Sequence, residues 1–277
     1  MIVDLFCPDC IYMSAQAGVP YQYVTIPLLR IRDDGIYHFK CPKGHDSTVR
    51  LINLKFELLF ENGIHAIVDG YNRDAVTSFV SALEEFYEFY FRVAARHLAS
   101  PAYAVQEAWR TASRQSERQL GLYLASYSLL AHEPPAILEN AAVEFRNKVV
   151  HRGYTPTDEE SISFGNTVLT ILDTAILSLR RIAEPSLLAV YDELLPPPPP
   201  EQEGNSEEEL VGSINILTTV DIRFPRDRDE RVGMLQKQIE RVIDARRTER
   251  KMRPMSESEG KERRRSDSSR PPNESSR

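Results

Sequence analysis

Two groups of residues in this 277-residue chain have the types and spacing to do chemistry. The first is Cys7-Pro8-Asp9-Cys10 together with Cys41-Pro42-Lys43-Gly44-His45. A thiolate pair closed by a tight turn offers two soft donors. A second turn carrying a cysteine and a histidine offers two more, which is the donor set tetrahedral zinc takes. Gly44 lets the second turn close. Cys7, Cys10, Cys41 and His45 are therefore the expected ligands, with His38 as an alternative to His45. Four protein donors leave no open position, so the expected role is a structural Zn2+ rather than a catalytic one. The second group is Arg146, Asn147 and His151 in the run FRNKVVHRGY. Histidine transfers protons near neutral pH, and a guanidinium donates a planar pair of hydrogen bonds to a phosphoryl group.

The elements that must position these residues are legible from hydrophobic spacing. Residues 1–46 hold all three cysteines and a strand-like pattern, YQYVTIPLLRI and GIYHFKC, joined by Asp33-Asp34-Gly35 as the turn of a hairpin. Residues 47–194 read as helices. The first starts in LINLKFELLFENG, a long second runs from Asp74 to Ala99, and a middle pair covers roughly 103–131. A further helix from Ala136 to His151 follows Pro134-Pro135, and a last one opens at Thr157, a good cap, with Asp158, Glu159 and Glu160 suiting its positive end. On the Ala136–His151 wheel, Leu138, Ala142, Phe145 and Val149 form the core stripe. Asn147 and His151, four apart, lie nearly opposite, with Arg146 on the flank and Val143 and Val150 beside them. The same cations, Lys148, His151 and Arg152, ahead of Gly153 also suit a plain helix end.

Beyond the bundle, 195–210 is a proline-rich and acidic linker, 211–252 reads as one strand plus an amphipathic helix with Val232, Leu235, Ile239 and Val242 on one face, and 253–277 reads as disordered. A net charge of -7 excludes coating of nucleic acid by bulk attraction, so any nucleic acid must meet a local basic patch. No run is expected to reach the ~18 apolar residues of a membrane helix, and the amino terminus lacks a signal-peptide pattern. The expected setting is the cytoplasm, with no membrane partner. Three cysteines, two of them in CPDC, favour metal binding over a disulfide scaffold.

Two resemblances sharpen these expectations. The paired Cys-Pro turns resemble a zinc ribbon, with His45 where a fourth cysteine is more usual. Arg146, Asn147, three residues and His151 resemble the Arg-x4-His motif of HEPN domains, and the resemblance covers the helical region, about 49–194. It implies a mainly α protein: a HEPN-like helical bundle preceded by a small β zinc ribbon, with a partly disordered C-terminal tail. It also implies a homodimer in which two such motifs face one cleft through the Arg146–His151 helix face. The implied activity is a metal-independent endoribonuclease, a toxin or phage-defence or stress effector with RNA as substrate and an antitoxin or other protein as partner. Arg146 and His151 are then catalytic and Asn147 supporting, and Glu84 or Glu88 of the long helix is a candidate to orient His151. In one branch of the family a tyrosine two residues after the histidine is modified to silence the toxin; here that position is Gly153. The alternative is a non-catalytic nucleotide- or RNA-binding or protein-interaction module that uses the same cluster and the zinc ribbon.

Overall fold

The computed structural model describes residues 2–5, 7–20, 24–27, 32, 34–197, 211–214, 218–223 and 233–252. The expected linker beyond Pro197, the tail 253–277 and Val232 lie outside the described residues. Two compact units are present, Met1–Ile239 and Glu240–Arg277. The chain is mainly helical, with small sheets built from its amino-terminal region and one strand from 211–214.

In the first unit β1 (Ile2–Leu5) pairs antiparallel with β2 (Val24–Pro27). Between them lies α1 (Pro8–Ala17), ended by Gly18 in the left-handed region at φ 64°. β3 (Ile36–Lys40) and β4 (Asp46–Leu51) form an antiparallel hairpin. β5 (Val211–Ile214) joins β4 in parallel, in register from Thr48↔Val211 to Leu51↔Ile214. The hairpin expected across Asp33-Asp34-Gly35 is therefore corrected: β2 turns back on β1, and β3 pairs with β4. The five-residue turn from Cys41 to His45 closes the β3–β4 hairpin, sealed by Cys41 N–H to His45 O at 2.9 Å and Gly44 N–H to Cys41 O at 2.8 Å. The expected junction at 46/47 falls inside β4, whose Val49 and Leu51 are buried.

Helices follow as α2 (Lys55–Val68), α3 (Asn72–His97), α4 (Ala102–Ala112), α5 (Ser116–Ala131), α6 (Asn140–Arg152) and α7 (Asp158–Leu194). α3 is the central one, packed against α2, α5, α6 and α7. Its Phe79 is fully buried, 4.8 Å from the Phe60 ring between centroids. Gly63 and Gly165 flank that ring: a Cβ at Gly63 would stand 2.5 Å from Phe79, and one at Gly165 2.9 Å. Missing side chains on α2 and α7 thus let both backbones close on one aromatic ring. A second aromatic layer joins α3 to α5, with Tyr87 stacked on Tyr123 at 4.6 Å and Tyr90 on Tyr127 at 5.1 Å.

α7 starts as its sequence announces. Thr157 Oγ1 accepts from Glu160 N–H at 3.2 Å, and Glu160 returns the bond to Thr157 N–H at 2.9 Å, a reciprocal cap. Pro185 interrupts the helix; Ala183 just before it leaves helical geometry at φ -134° and ψ 30°. This helix corrects the expectation that no segment reaches membrane-spanning length and apolarity. One 18-residue window in it has mean hydropathy 1.5, and 61% of that window is buried inside the protein. Ser161, Asp173 and Ser178 on its buried side mark it as the bundle's own core helix.

α8 (Met234–Met252) carries Leu235 and Ile239 buried in the first unit, with Leu235 against the helix face at Gly165. The segment before it is held by carboxylates of α2. Glu57 Oε1 accepts from Ile222 N–H at 2.9 Å and Oε2 from Leu54 N–H at 3.0 Å, while Glu61 Oε2 accepts from Thr219 N–H and Oγ1 at 3.0 and 2.9 Å. Burial pushes the Glu57 carboxyl up to about 7 against those donors, and Asp221 adds to the rise.

Candidate metal centre and phosphate site

Cys7, Cys10, Cys41 and His45 converge, with one ligand atom from each lying within 4.8 Å of all the others. Their arrangement follows from local structure. Cys7 is the N-cap of α1 and accepts from Cys10 N–H at 3.5 Å, so the CPDC turn is the first turn of a helix with proline at its start. The β3–β4 turn brings Cys41 and His45 over it, Gly44 at its crest adopting φ +93°. His45 Nδ1 stands 3.5 Å from Cys7 Sγ, 3.3 Å from Cys10 Sγ and 3.5 Å from Cys41 Sγ, and Cys10 and Cys41 Sγ are 3.9 Å apart. A tetrahedron with metal–sulfur bonds of about 2.3 Å and metal–nitrogen bonds of about 2.0 Å has edges of roughly 3.5–3.8 Å. The observed separations fit that figure. None of the three cysteines forms a disulfide, all are buried, and a metal ion such as zinc suits this donor set.

The surroundings tune the thiols in opposite directions. Burial and the neighbouring sulfurs push Cys10 up to about 12. Burial acts the same way on Cys41, but the N–H groups of His45 and Lys43 outweigh it and bring that thiol down to about 7. Ser47 Oγ lies 3.0 Å from Cys7 Sγ, an outer partner from β4. His38 points elsewhere, its Nδ1 2.8 Å from Thr48 Oγ1, so His45 is the fourth member.

The second cluster sits on α6. That helix begins at Asn140, four residues later than expected: the run after Pro134-Pro135 stays outside the helix up to the cap Glu139, whose backbone is extended. Leu138 consequently lies outside the helix, and Ala142, Phe145 and Val149 remain its inward stripe. Val149 is fully buried and Phe145 packs on Phe164 at 5.5 Å. Gly153 at φ 71° ends the helix, with Tyr154 N–H reaching back to Lys148 O at 3.2 Å. The cation-dressed helix end and the outward cluster thus coexist.

Arg146 does not lie open to solvent. Its Nη2 donates to Glu84 Oε1 of α3 at 3.1 Å and its Nη1 to Asn147 Oδ1 at 3.0 Å. The two charged side chains are only 19% and 28% exposed. His151 and Val143 are exposed and Val150 half-buried. Among the described residues no side chain hydrogen-bonds to His151. Glu84 therefore meets the cluster through Arg146 rather than through His151, and Glu88 is taken by Arg92 one helical turn on.

The chain matches no protein-family model, no curated protein and no solved structure.

The carboxylates that sequence reasoning passed over are Glu57 and Glu61. In LINLKFELLFENG they occupy positions four apart that a two-sided wheel gives to solvent. The signal available is their company: Glu57 stands between Phe56 and Leu58, and Glu61 follows Phe60.

Proposed function

We propose that the chain is a homodimeric endoribonuclease of HEPN type, acting in the cytoplasm as a toxin or phage-defence effector, with a structural zinc ion in its amino-terminal module. The observation that carries the reading is Arg146 held between Glu84 and Asn147 on the helix that also presents His151. A guanidinium fixed in this way keeps further donors for a phosphoryl oxygen and loses little freedom on binding.

RNA supplies its own nucleophile. The 2′-oxygen bonds to the adjacent phosphorus, the bond from phosphorus to the 5′-oxygen breaks, and a 2′,3′-cyclic phosphate remains. The 2′-hydroxyl gives up a proton and the leaving 5′-oxygen takes one. His151 performs proton transfer, Arg146 stabilises charge on the non-bridging oxygens, and Asn147 keeps Arg146 aimed. The exposed His151 acquires its surroundings from a second copy of α6, with Val143 and Val150 at the contact. Cys7, Cys10, Cys41 and His45 would hold zinc; bound there, the ion fastens α1 to the β3–β4 hairpin and takes no part in the cleavage.

The test is RNA cleavage by the purified chain in buffer without added divalent metal. The expected products carry 2′,3′-cyclic phosphate ends, DNA stays intact, and His151→Ala loses about 10²–10⁴ in rate. Undiminished cutting by His151→Ala refutes the assignment. RNA that binds but is never cut, by wild type and His151→Ala alike, selects instead a binding module that uses the same phosphate grip.

A further inference from the structure

Beside Arg146 a cavity of about 140 Å³ opens between α3, α5 and the extended run ahead of α6. Its walls are mostly apolar: Val80, Leu83 and Tyr87 from α3, Leu120 from α5, Ile137 and Leu138 from the extended run. Tyr87 is held rigidly by its stack on Tyr123. The polar groups on the lining are few, Arg146, Glu84, Glu117 and Ser116. Arg146 thus belongs to two places at once, the α6 cluster and the wall of this cavity.

We propose that the cavity is a nucleobase pocket that selects the base next to the phosphate gripped at Arg146, and that it favours bases bearing an exocyclic amino group. The inference rests on the reading of Arg146 as a phosphate-binding residue. A ligand that reaches Arg146 with its phosphate and extends into an adjoining apolar slot must carry a flat ring on a short tether, which describes a nucleotide. The size sets what enters: an apolar cavity of about 150 Å³ accommodates a benzene ring, so this one takes a single six-membered ring, and the second ring of a purine projects through its open mouth. Ring faces bury well against aliphatic and tyrosyl walls. The polar lining sets the preference. Glu84 spends Oε1 on Arg146, which leaves Oε2 as an acceptor, and Glu117 stands exposed at the mouth of the cavity. Carboxylates accept from amino groups, so adenine, cytosine and guanine offer them an exocyclic N–H donor, where uracil offers only its ring N3–H.

The experiment measures binding of adenosine, cytidine and uridine 3′-monophosphates to the full chain by ligand-detected NMR, with inorganic phosphate as control. Cleavage of RNAs varied at one base runs alongside it. Ile137→Trp plugs the cavity from an exposed position on the extended run, and Glu117→Gln alters the polar mouth without disturbing packing. Expected are binding of the adenine and cytosine nucleotides at least roughly tenfold tighter than uridine monophosphate, loss of that margin in both variants, and unchanged binding of phosphate. Nucleotides that bind no better than phosphate, or a preference untouched by Ile137→Trp, overturn the proposal. So does a plug that changes only the oligomeric state in sedimentation, since the cavity would then seat a second copy. Pocket-dependent nucleotide binding without RNA cleavage keeps the pocket and refutes the nuclease. Cleavage indifferent to base and to the plug does the reverse.

Discussion

Glu57→Gln makes stability report on one buried carboxyl. Glu57 is 1% exposed and accepts N–H bonds from Leu54 and Ile222, the latter drawn from 165 residues away. Those donors and Arg223 favour the ionised form; burial and Asp221 oppose it, and burial wins, raising the group from 4.5 to about 7. The folded state therefore holds a proton that the unfolded chain has released. Its contribution to stability is complete below pH 4.5 and is lost as pH rises through 7. At 1.36 kcal/mol per pH unit the displacement corresponds to about 3 kcal/mol. Glutamine copies the neutral form at every pH and carries no such dependence. Its amide imposes a constant offset at the Leu54 N–H, and that offset cancels when pH values are compared. Urea unfolding of both proteins at intervals from pH 4.5 to 8 should show the variant gaining about 3 kcal/mol on wild type across the window. Comparing the two removes every other titrating group, including those such as Glu107 and Glu160 whose lowered carboxyls act in the opposite sense. A flat difference would mean that Glu57 stays ionised in the fold. A slope of opposite sign would mean that its hydrogen bonds outweigh its burial.

Three further outcomes test separate parts of the structure. Glu84→Gln removes the charge that pins Arg146 and should lower kcat for RNA roughly a hundredfold with little change in KM, read by steady-state cleavage assays. Cys10→Ser should abolish one-to-one zinc binding measured by elemental analysis, whereas Ser47→Ala, which loses only the contact with Cys7 Sγ, should weaken zinc by about 10–100-fold in chelator competition. Gly63→Ala drives a methyl into the Phe79 ring and should cost about 1–3 kcal/mol, seen as a lower midpoint in thermal unfolding.

What the sequence made legible was whatever is encoded over a few neighbouring residues. The Cys-Pro turns are short-range signals, and so are the Thr157–Glu160 cap, the Gly153 stop and the helical spacing of α2, α3, α5 and α7. Cys7, Cys10, Cys41 and His45 were named on spacing alone, and they meet. Pairings between distant segments left no such mark. Leu51, the last residue of β4, reads as the start of a helix because LINLKF is apolar enough for either, and only the Cys41–His45 turn and β5 place it in a strand. α1 leaves no separate mark: CPDC reads as a ligand turn, although the same four residues also make a helix start, with Cys7 as cap.

The cluster on α6 shows the same division inside one site. Asn147 and His151 share a face because four residues nearly complete a turn, a fact any wheel supplies. Where the Arg146 guanidinium goes depends on Glu84, 62 residues earlier on another helix, and no wheel contains both. The difference bears on mechanism. An arginine on an open flank would have to be ordered by the substrate, at a cost in side-chain entropy of up to about 2 kcal/mol. Arg146 meets that cost during folding, because Glu84 and Asn147 already hold two of its nitrogens. Among the described residues His151 has no comparable support, and in the proposed dimer a second copy of α6 would supply one. The fold thus builds the arginine half of the cluster, and on the proposed reading assembly builds the histidine half. Dilution below the dimer dissociation constant should then abolish cleavage while leaving phosphate binding at Arg146 intact.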